Sequence, residues 1–449
     1  MTEQSIGLCL QGFESLFLHQ FKMVVKVTPL GGFGGEVGRN CIAVDVDGKI
    51  IILDMGVHLE RYIEVTQDDL AEKKHLFRKL SRAKAIPEAR FFSLNKKNIV
   101  GACISHAHLD HVGAIPYIMK RLKCPLYATP FTCNVIRALA ERTSVDCRPQ
   151  DAGSTFFVAG ISVEFIHVAH STPQTVGIAI HTPNDGTVLY LNDYKNDTDP
   201  VFEKPTDVAR LKDLSPSLLI LDTLNAHLPG YAPSERAARD EVLALAPELD
   251  KKRAIVFSTF SSQLSRLRSA LDLAKQLGRE PVFVGRSLAK YVAAAKDFFP
   301  QDVKSLVYRR QIDSFLSKCR TPEKYFFMVT GHQGEPKAVL SRMADGLFQF
   351  TRDDAVIFSC RVIPTPLTRE ARAVLEQKLE EKGVSVYKDV HATGHAHAQD
   401  HKEVIEWLNP AMILPAHAES RGLEAFKSFV DKEKLVDIRL FETFSFSRT

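Results

Sequence analysis

The stretch CISHAHLDHVGA, residues 103–114, follows a run of buried-strand character, NIVGACIS, and sets His106, His108, Asp110 and His111 within six positions. Buried imidazoles and carboxylates are costly unless they are paired or hold a metal. On a loop leaving a strand, this spacing presents two ligand pairs in two directions: His106 with His108, and Asp110 with His111. Imidazole and carboxylate donors without thiolate suit Zn²⁺, with Mn²⁺ as the alternative, and a catalytic rather than structural site. The fold must therefore bring further ligands to the end of this strand.

The candidates lie far apart in sequence. His170 ends a strand-like run in IHVAHSTPQTVG, and Asp193 does so in LYLNDYKND. His395 and His397 stand in HATGHAHAQD, and His417 in ILPAHAES. Each falls where a strand gives way to a loop, which is where α/β proteins build sites. Taken singly, His170 or His417 reads as a structural histidine; their joint placement makes them ligand candidates.

A chain of 449 residues exceeds one ordinary core, so two domains are expected. Residues 1–22 read as an appendage, with apolar positions 6, 10, 13, 17 and 21 on one helical face. From residue 23 to 228 strand-like runs such as VVKVTPL and KIIILD alternate with Gly-rich turns, interrupted at 58–97 by a charged helical insertion on the rim. That charged run either flanks a substrate entrance or is a solvated helix face. Between 229 and 365 helices such as SSQLSRLRSALDLAKQLG alternate with buried strands AIVFST, PVFVG and YFFMVTG, the pattern of a parallel α/β sheet. Residues 366–449 return to histidine-bearing strand ends, so the middle domain reads as inserted into the first.

The 8 cysteines include no C-x-x-C pair, which argues against a zinc ribbon or disulfide scaffold and for a reducing, cytoplasmic setting. No run approaches the ~18 apolar residues of a membrane span, and no membrane partner is expected. A net charge of +4 permits a polyanionic partner without demanding one.

The order H-x-H-x-D-H, lone His170, then Asp193 resembles the metallo-β-lactamase fold, an αββα sandwich. Asp54 in ILDMG resembles that family's first motif, whose carboxylate orients the ligand loop. Asp222 in LLILDT, His395 in ATGHA and His417 in LPAH resemble motifs A, B and C of the β-CASP nucleases, whose parallel α/β domain is inserted into the sandwich. Among these, GGFGGEVGRN, TFSSQLSRL, VGRS, VTGHQGEP and GHAHAQD…LNPAMILPAHAE resemble the ribonuclease J family, in its short archaeal form. The likeness runs from about residue 24 to the C-terminus. The chain departs from the family pattern by an extra glycine in the first loop, by His332 and His397 at positions usually small, and by Ala418 after motif C.

The resemblance implies a hydrolase, a 5′→3′ exoribonuclease acting on single-stranded RNA from a 5′-monophosphate end. Some endonuclease activity is compatible with it; a purely endonucleolytic RNA-processing enzyme and a β-CASP DNA nuclease are the alternatives. His106, His108 and His170 would hold one ion, Asp110, His111 and His417 the other, and Asp193 would bridge. Two divalent ions ~3.5–4 Å apart share a hydroxide and clamp a phosphodiester for in-line attack. His395 would stabilise the phosphate or protonate the leaving 3′ oxygen. Asp222 would orient His395, or else cap the turn after its strand. Ser262, Arg286, Ser287, the loop Gly331, His332, Gln333 and Gly334, and His397 are the candidates for gripping RNA, the loops as phosphate cradles. Homodimerisation is the family-based expectation.

Overall fold

Side-chain alternation along each strand sorts the residues between two faces, and three sheets result. The computed structural model describes residues 24–67, 75–141, 143–300, 302–363 and 365–447; the appendage expected at 1–22 lies outside them. In strand Lys49–Leu53, Ile51 and Leu53 point inward while Ile50 and Ile52 face a helical layer. In strand Gly186–Leu191, Val188 and Tyr190 point inward while Leu189 and Leu191 face the opposite helical layer. The inward sets of a seven-stranded and a six-stranded sheet share one core, with helices outside both. The chain is thus an αββα sandwich of the expected class.

The third sheet is wholly parallel, in the order Lys304–Leu306, Glu280–Val284, Tyr325–Val329, Ile255–Ser258, Ala355–Phe358, Ser385–Tyr387. Its strands are near-continuous apolar runs because helices cover both faces. Strand Leu218–Asp222 precedes this unit and strand Met412–Ala416 follows it, and the two pair in parallel within the sandwich. The insertion therefore leaves and re-enters the sandwich at neighbouring strands. Its end differs from the expected 365: helix Pro366–Glu380 buries Leu375 and Leu379 in the third sheet's core, and Ser385–Tyr387 is that sheet's edge. An amphipathic helix specifies that it docks, not on which sheet.

The charged segment 58–97 is also more than a rim. Leu80, Ala85, Ile86 and Phe92 pack into the layer over the seven-stranded sheet, while Arg78, Lys79, Arg82 and Lys84 are exposed. Helix Pro130–Leu139 forms the seam between the units: Cys133 and Ile136 pack toward the sandwich, and Phe131 and Val135 toward the insertion. No helix among the described residues is long and apolar enough to cross a membrane.

One disulfide, Cys133–Cys147, ties this seam helix to the edge strand Cys147–Pro149, against the expectation drawn from scattered cysteines. Spacing in sequence did not reveal it because the two residues meet only through tertiary packing. Closing a loop of 14 residues contributes about 3 kcal/mol. Reductant should lower the thermal midpoint of the native chain and leave that of Cys133→Ser unchanged; identical melts of the native chain with and without reductant would contradict a stabilising bridge.

Candidate metal centre

Three strands are followed within two residues by a residue with left-handed backbone, and these residues converge on one region: Asp54 (φ 58°), Asp193 (φ 38°) and His417 (φ 47°). Non-glycine residues adopt this conformation at a cost of about 1 kcal/mol or more, which the surrounding contacts must hold in place. Together with the loop after strand Ile99–Cys103, these ends gather nearly all the sequence candidates. His106, His108, His170 and Asp193 form one group with ligand atoms within 4.8 Å of one another; Asp110, His111 and His417 form a second; Asp193, His395 and His417 form a third.

Asp193 stands at the centre. Its Oδ2 lies 3.4 Å from His106 Nε2, 3.7 Å from His170 Nε2 and 3.8 Å from His395 Nε2. Its Oδ1 lies 3.2 Å from His111 Nε2 and 3.9 Å from His417 Nε2. The two oxygens thus face different histidine sets. The outer nitrogens of the rings are held by fixed partners, which sets where the inner ones point. His111 Nδ1 meets Asp54 Oδ2 at 2.7 Å, His170 Nδ1 meets the Gly394 carbonyl at 2.6 Å, and His417 Nδ1 meets Asn40 Oδ1 at 2.9 Å. His395 Nδ1 meets Asp222 Oδ2 at 2.8 Å, while Asp222 Oδ1 accepts from the Leu224 N–H, so this carboxylate does both jobs considered for it.

Asp54 touches none of these groups' inner atoms; it is fully buried and accepts from the Ser105 N–H and hydroxyl and from the Tyr190 hydroxyl besides His111. Gly56 backs this corner, since a Cβ there would sit 1.4 Å from the Asp110 carbonyl oxygen. Asn40 was missed by sequence reasoning. Its side-chain N–H₂ lies 3.3 Å from Asp110 Oδ2 and 2.9 Å from His111 Nε2, so one amide spans all three members of the second group. The available signal was a polar residue between a Gly-rich loop and a buried strand.

The electrostatics suit cations. Burial, reinforced by His106, holds the His108 imidazole down to about 3. Burial also lowers His106, with His111 adding to it, and keeps His170 well below the usual range, with His108 and His106 adding to it. These rings are neutral, with lone pairs to donate. At His111 burial opposes protonation, but Asp193, Asp110 and Asp54 raise it well above the ordinary value. Burial favours the neutral forms of Asp110 and Asp193, yet His111 holds both carboxylates well below the usual range. His106 Nε2 and Asp193 Oδ1 are buried with no hydrogen-bond partner. Orphaned ligand atoms of this type, set among imidazoles and the carboxylates of Asp193 and Asp110, fit divalent metal.

The other candidates divide. Arg286 and Ser287 are exposed at the C-terminal end of strand Glu280–Val284, in a cavity of about 620 Å³ whose lining also includes Lys290, Arg309, Lys337, Arg342 and Leu109 of the histidine loop. Ser261, not Ser262, meets Ser287 there, hydroxyl to hydroxyl at 2.9 Å. The TGHQGEP loop is not an open cradle. Its Gln333 N–H donates to Glu335 in the same loop and its Gly334 N–H to the Gly331 carbonyl. The Gln333 side chain binds the backbone of Arg361 and Ile363, and His332 is buried against Phe260 with ring centroids 4.0 Å apart. Gly331 and Gly334 serve close packing, against Ala338 and against the Ala371 carbonyl. His397 joins no metal-capable group; it precedes helix Ala398–Leu408 and its N–H donates to Asp400.

The comparisons with known proteins agree with this geometry. Residues 34–254 match the metallo-beta-lactamase superfamily, 251–376 the Ribonuclease J, beta-CASP domain, and 384–440 the Zn-dependent metallo-hydrolase RNA specificity domain. Ribonuclease J of Methanocaldococcus jannaschii is 33% identical over 92% of this chain and 95% of its own length. That of Pyrococcus abyssi is 35% identical over 91% and 93%. The chain belongs to the ribonuclease J family. Ribonuclease J 1 of Streptococcus pyogenes is a more distant member, 29% identical over 88% of this chain and 69% of its own. A solved Enterococcus faecalis protein of unknown function shares the fold at TM-score 0.66 with 16% identity, covering 94% of this chain and all of that one.

Within this ribonuclease J-family site, Gly394 offers a direct check. A Cβ there would lie 2.5 Å from His170 Cε1. Gly394→Ala should displace that ring and weaken metal retention about 10–100-fold, read by chelator competition; retention equal to wild type would remove His170 from the ligand set.

Proposed function

We propose that this chain is a metal-dependent ribonuclease that degrades single-stranded RNA 5′→3′ from a 5′-monophosphate end. Its family membership supports ribonuclease chemistry. The observation that carries the direction is the cationic cavity of Arg286, Ser287, Lys290, Arg309 and Arg342, which shares Leu109 with the histidine loop. A terminal phosphate gripped there sits a short way along the strand from the bond facing Asp193.

His106, His108 and His170 would hold one divalent ion, Asp110, His111 and His417 a second, with Asp193 between them; the nitrogen-rich donor set favours Zn²⁺ over Mn²⁺. Such ions, when bound, neutralise phosphodiester charge and acidify a water. The protein's own residues do the rest. Arg286 and its neighbours take the terminal phosphate as charge-assisted partners. His395 is opposed in its charged form by burial, but Asp222 and Asp193 carry it up to about 9, so it is protonated at neutral pH. Its Nδ1 is committed to Asp222, which leaves Nε2 to hand a proton to the departing 3′ oxygen.

Two experiments bear on this reading. RNAs labelled at the 5′ end and carrying a mono- or triphosphate, incubated with Zn²⁺ or Mn²⁺, should release labelled mononucleotide, with the monophosphate form preferred. Internal fragments alone, indifferent to the 5′ group, would favour the endonuclease instead. The second concerns pH. The active, protonated form of His395 is present below its pKa and lost as pH rises through it. Asp222→Asn removes the charge that raises that pKa, so the alkaline limb of kcat should move to lower pH by about 1 unit or more. An unmoved limb would assign the proton to another group.

A further inference from the structure

Three side chains of the inserted domain donate hydrogen bonds to the main chain beside the histidines, and the Ser265 N–H adds a fourth, to the Ser171 carbonyl at 3.5 Å. Tyr291, in helix Arg286–Ala294, donates its hydroxyl to the carbonyl of Ala107 at 2.9 Å. Ser265, in helix Leu264–Gln276, donates its hydroxyl to the carbonyl of Ser171 at 3.4 Å. Arg266, in the same helix, donates Nη2 to the carbonyl of Ala392 at 3.2 Å. All three donors are buried, at 4, 3 and 1% exposure.

The acceptors are not scattered. Ala107 stands between His106 and His108, Ser171 follows His170, and Ala392 lies in the loop that carries Gly394 and His395. Gly394 in turn holds the His170 ring. The insertion thus holds main chain adjacent to every histidine of the first group and the loop of His395, and none of these bonds goes to main chain adjacent to Asp110, His111 or His417. Asp110, His111 and His417 are tied from within the sandwich, by Asn40, Asp54 and the Gly32 carbonyl that accepts the His417 N–H.

Arg266 is itself fixed by charge. Its Nη1 lies 2.9 Å from Glu235 Oε2, and Glu235 Oε1 lies 2.9 Å from Lys195 Nζ, two residues past Asp193. Lys195 also reaches Asp197, whose Oδ2 accepts the Glu235 N–H at 2.7 Å. Two cations and two anions, all nearly inaccessible, form a closed neutral set across the domain boundary. Such a set resists separation, because parting it strands buried charge.

We propose that Tyr291, Ser265 and Arg266 are positioning residues through which the inserted domain governs one metal position and not the other. The position of His106, His108 and His170, with the His395 loop beside it, depends on how the two units are seated. The position of Asp110, His111 and His417 is built into the sandwich and is independent of that seating. Any opening of the cleft that admits or releases a strand therefore loosens the first position alone.

This inference rests on the two-metal reading above, and the experiment separates them. Zn²⁺ binding is measured by calorimetry and chelator competition on the full chain in two one-site backgrounds. His417→Ala leaves the first group intact, and His108→Ala leaves the second. Adding Tyr291→Phe should weaken Zn²⁺ binding about tenfold in the His417→Ala background and leave it within about twofold in the His108→Ala background. Ser265→Ala removes a hydroxyl from a different helix but keeps the Ser265 N–H on the same carbonyl, so it should repeat the pattern with a smaller effect, with melting curves confirming that each variant is folded. Equal weakening in both backgrounds, or none in either, would overturn the proposal. Wild-type protein that takes up fewer than two Zn²⁺ would instead overturn the two-metal reading beneath it.

Discussion

The carboxylate of Asp193 is the point on which the rest of the structure turns. It is almost wholly buried and has no cationic side chain of Lys or Arg against it. Burying an ion of that kind costs several kcal/mol, and imidazoles repay it only when charged. Two of the five rings facing it, His106 and His170, are pushed toward neutrality by burial and by neighbouring rings, while the carboxylates raise His111 and His395. The His106 and His170 side therefore offers lone pairs without charge, a deficit that a bound cation would fill. The site's architecture is explained by that deficit: two oxygens facing two sets of nitrogens, with room for cations between.

Holding the deficit in place requires rigidity, and the sandwich supplies it. Parallel strands Leu218–Asp222 and Met412–Ala416 deliver Asp222 and His417 side by side, although 195 residues separate them in sequence. Left-handed turns at Asp54, Asp193 and His417 swing side chains off the strand ends instead of along them. Asn40 and Asp54 then lock ring orientations through nitrogens that face away from the centre. Each device is local and cheap alone; their convergence makes the site stiff enough for phosphodiester chemistry.

The residues that the fold gathers into metal-capable groups stood out in sequence because their chemistry is unusual at strand ends, and the strands because apolar runs and alternation have few other readings. The misreadings share a cause: they concern which of two partners a segment meets. Helix Pro366–Glu380 is amphipathic, but nothing local says that its apolar face belongs to the third sheet. TGHQGEP has the glycines of an anion cradle, but Glu335 and Gly331 occupy its N–H groups from inside the loop. His397 and His395 look equivalent two residues apart, yet only His395 faces Asp193. Asn40 carries no chemistry that marks it until His111 and His417 close around it. Cys133 and Cys147 likewise become a pair only when the seam helix docks beside the edge strand.

In CISHAHLDHVGA the two ligand pairs follow one another without a break, yet the fold assigns them to different supports. His106 and His108 answer to the inserted domain through the Ala107 carbonyl, and Asp110 and His111 answer to the sandwich through Asn40 and Asp54. Leu109 alone separates His108 from Asp110, so the boundary between the two supports falls at this residue. Leu109 is also the residue that the loop contributes to the cationic cavity. On the proposed function, a strand drawn into that cavity would meet the loop at the boundary between its two supports.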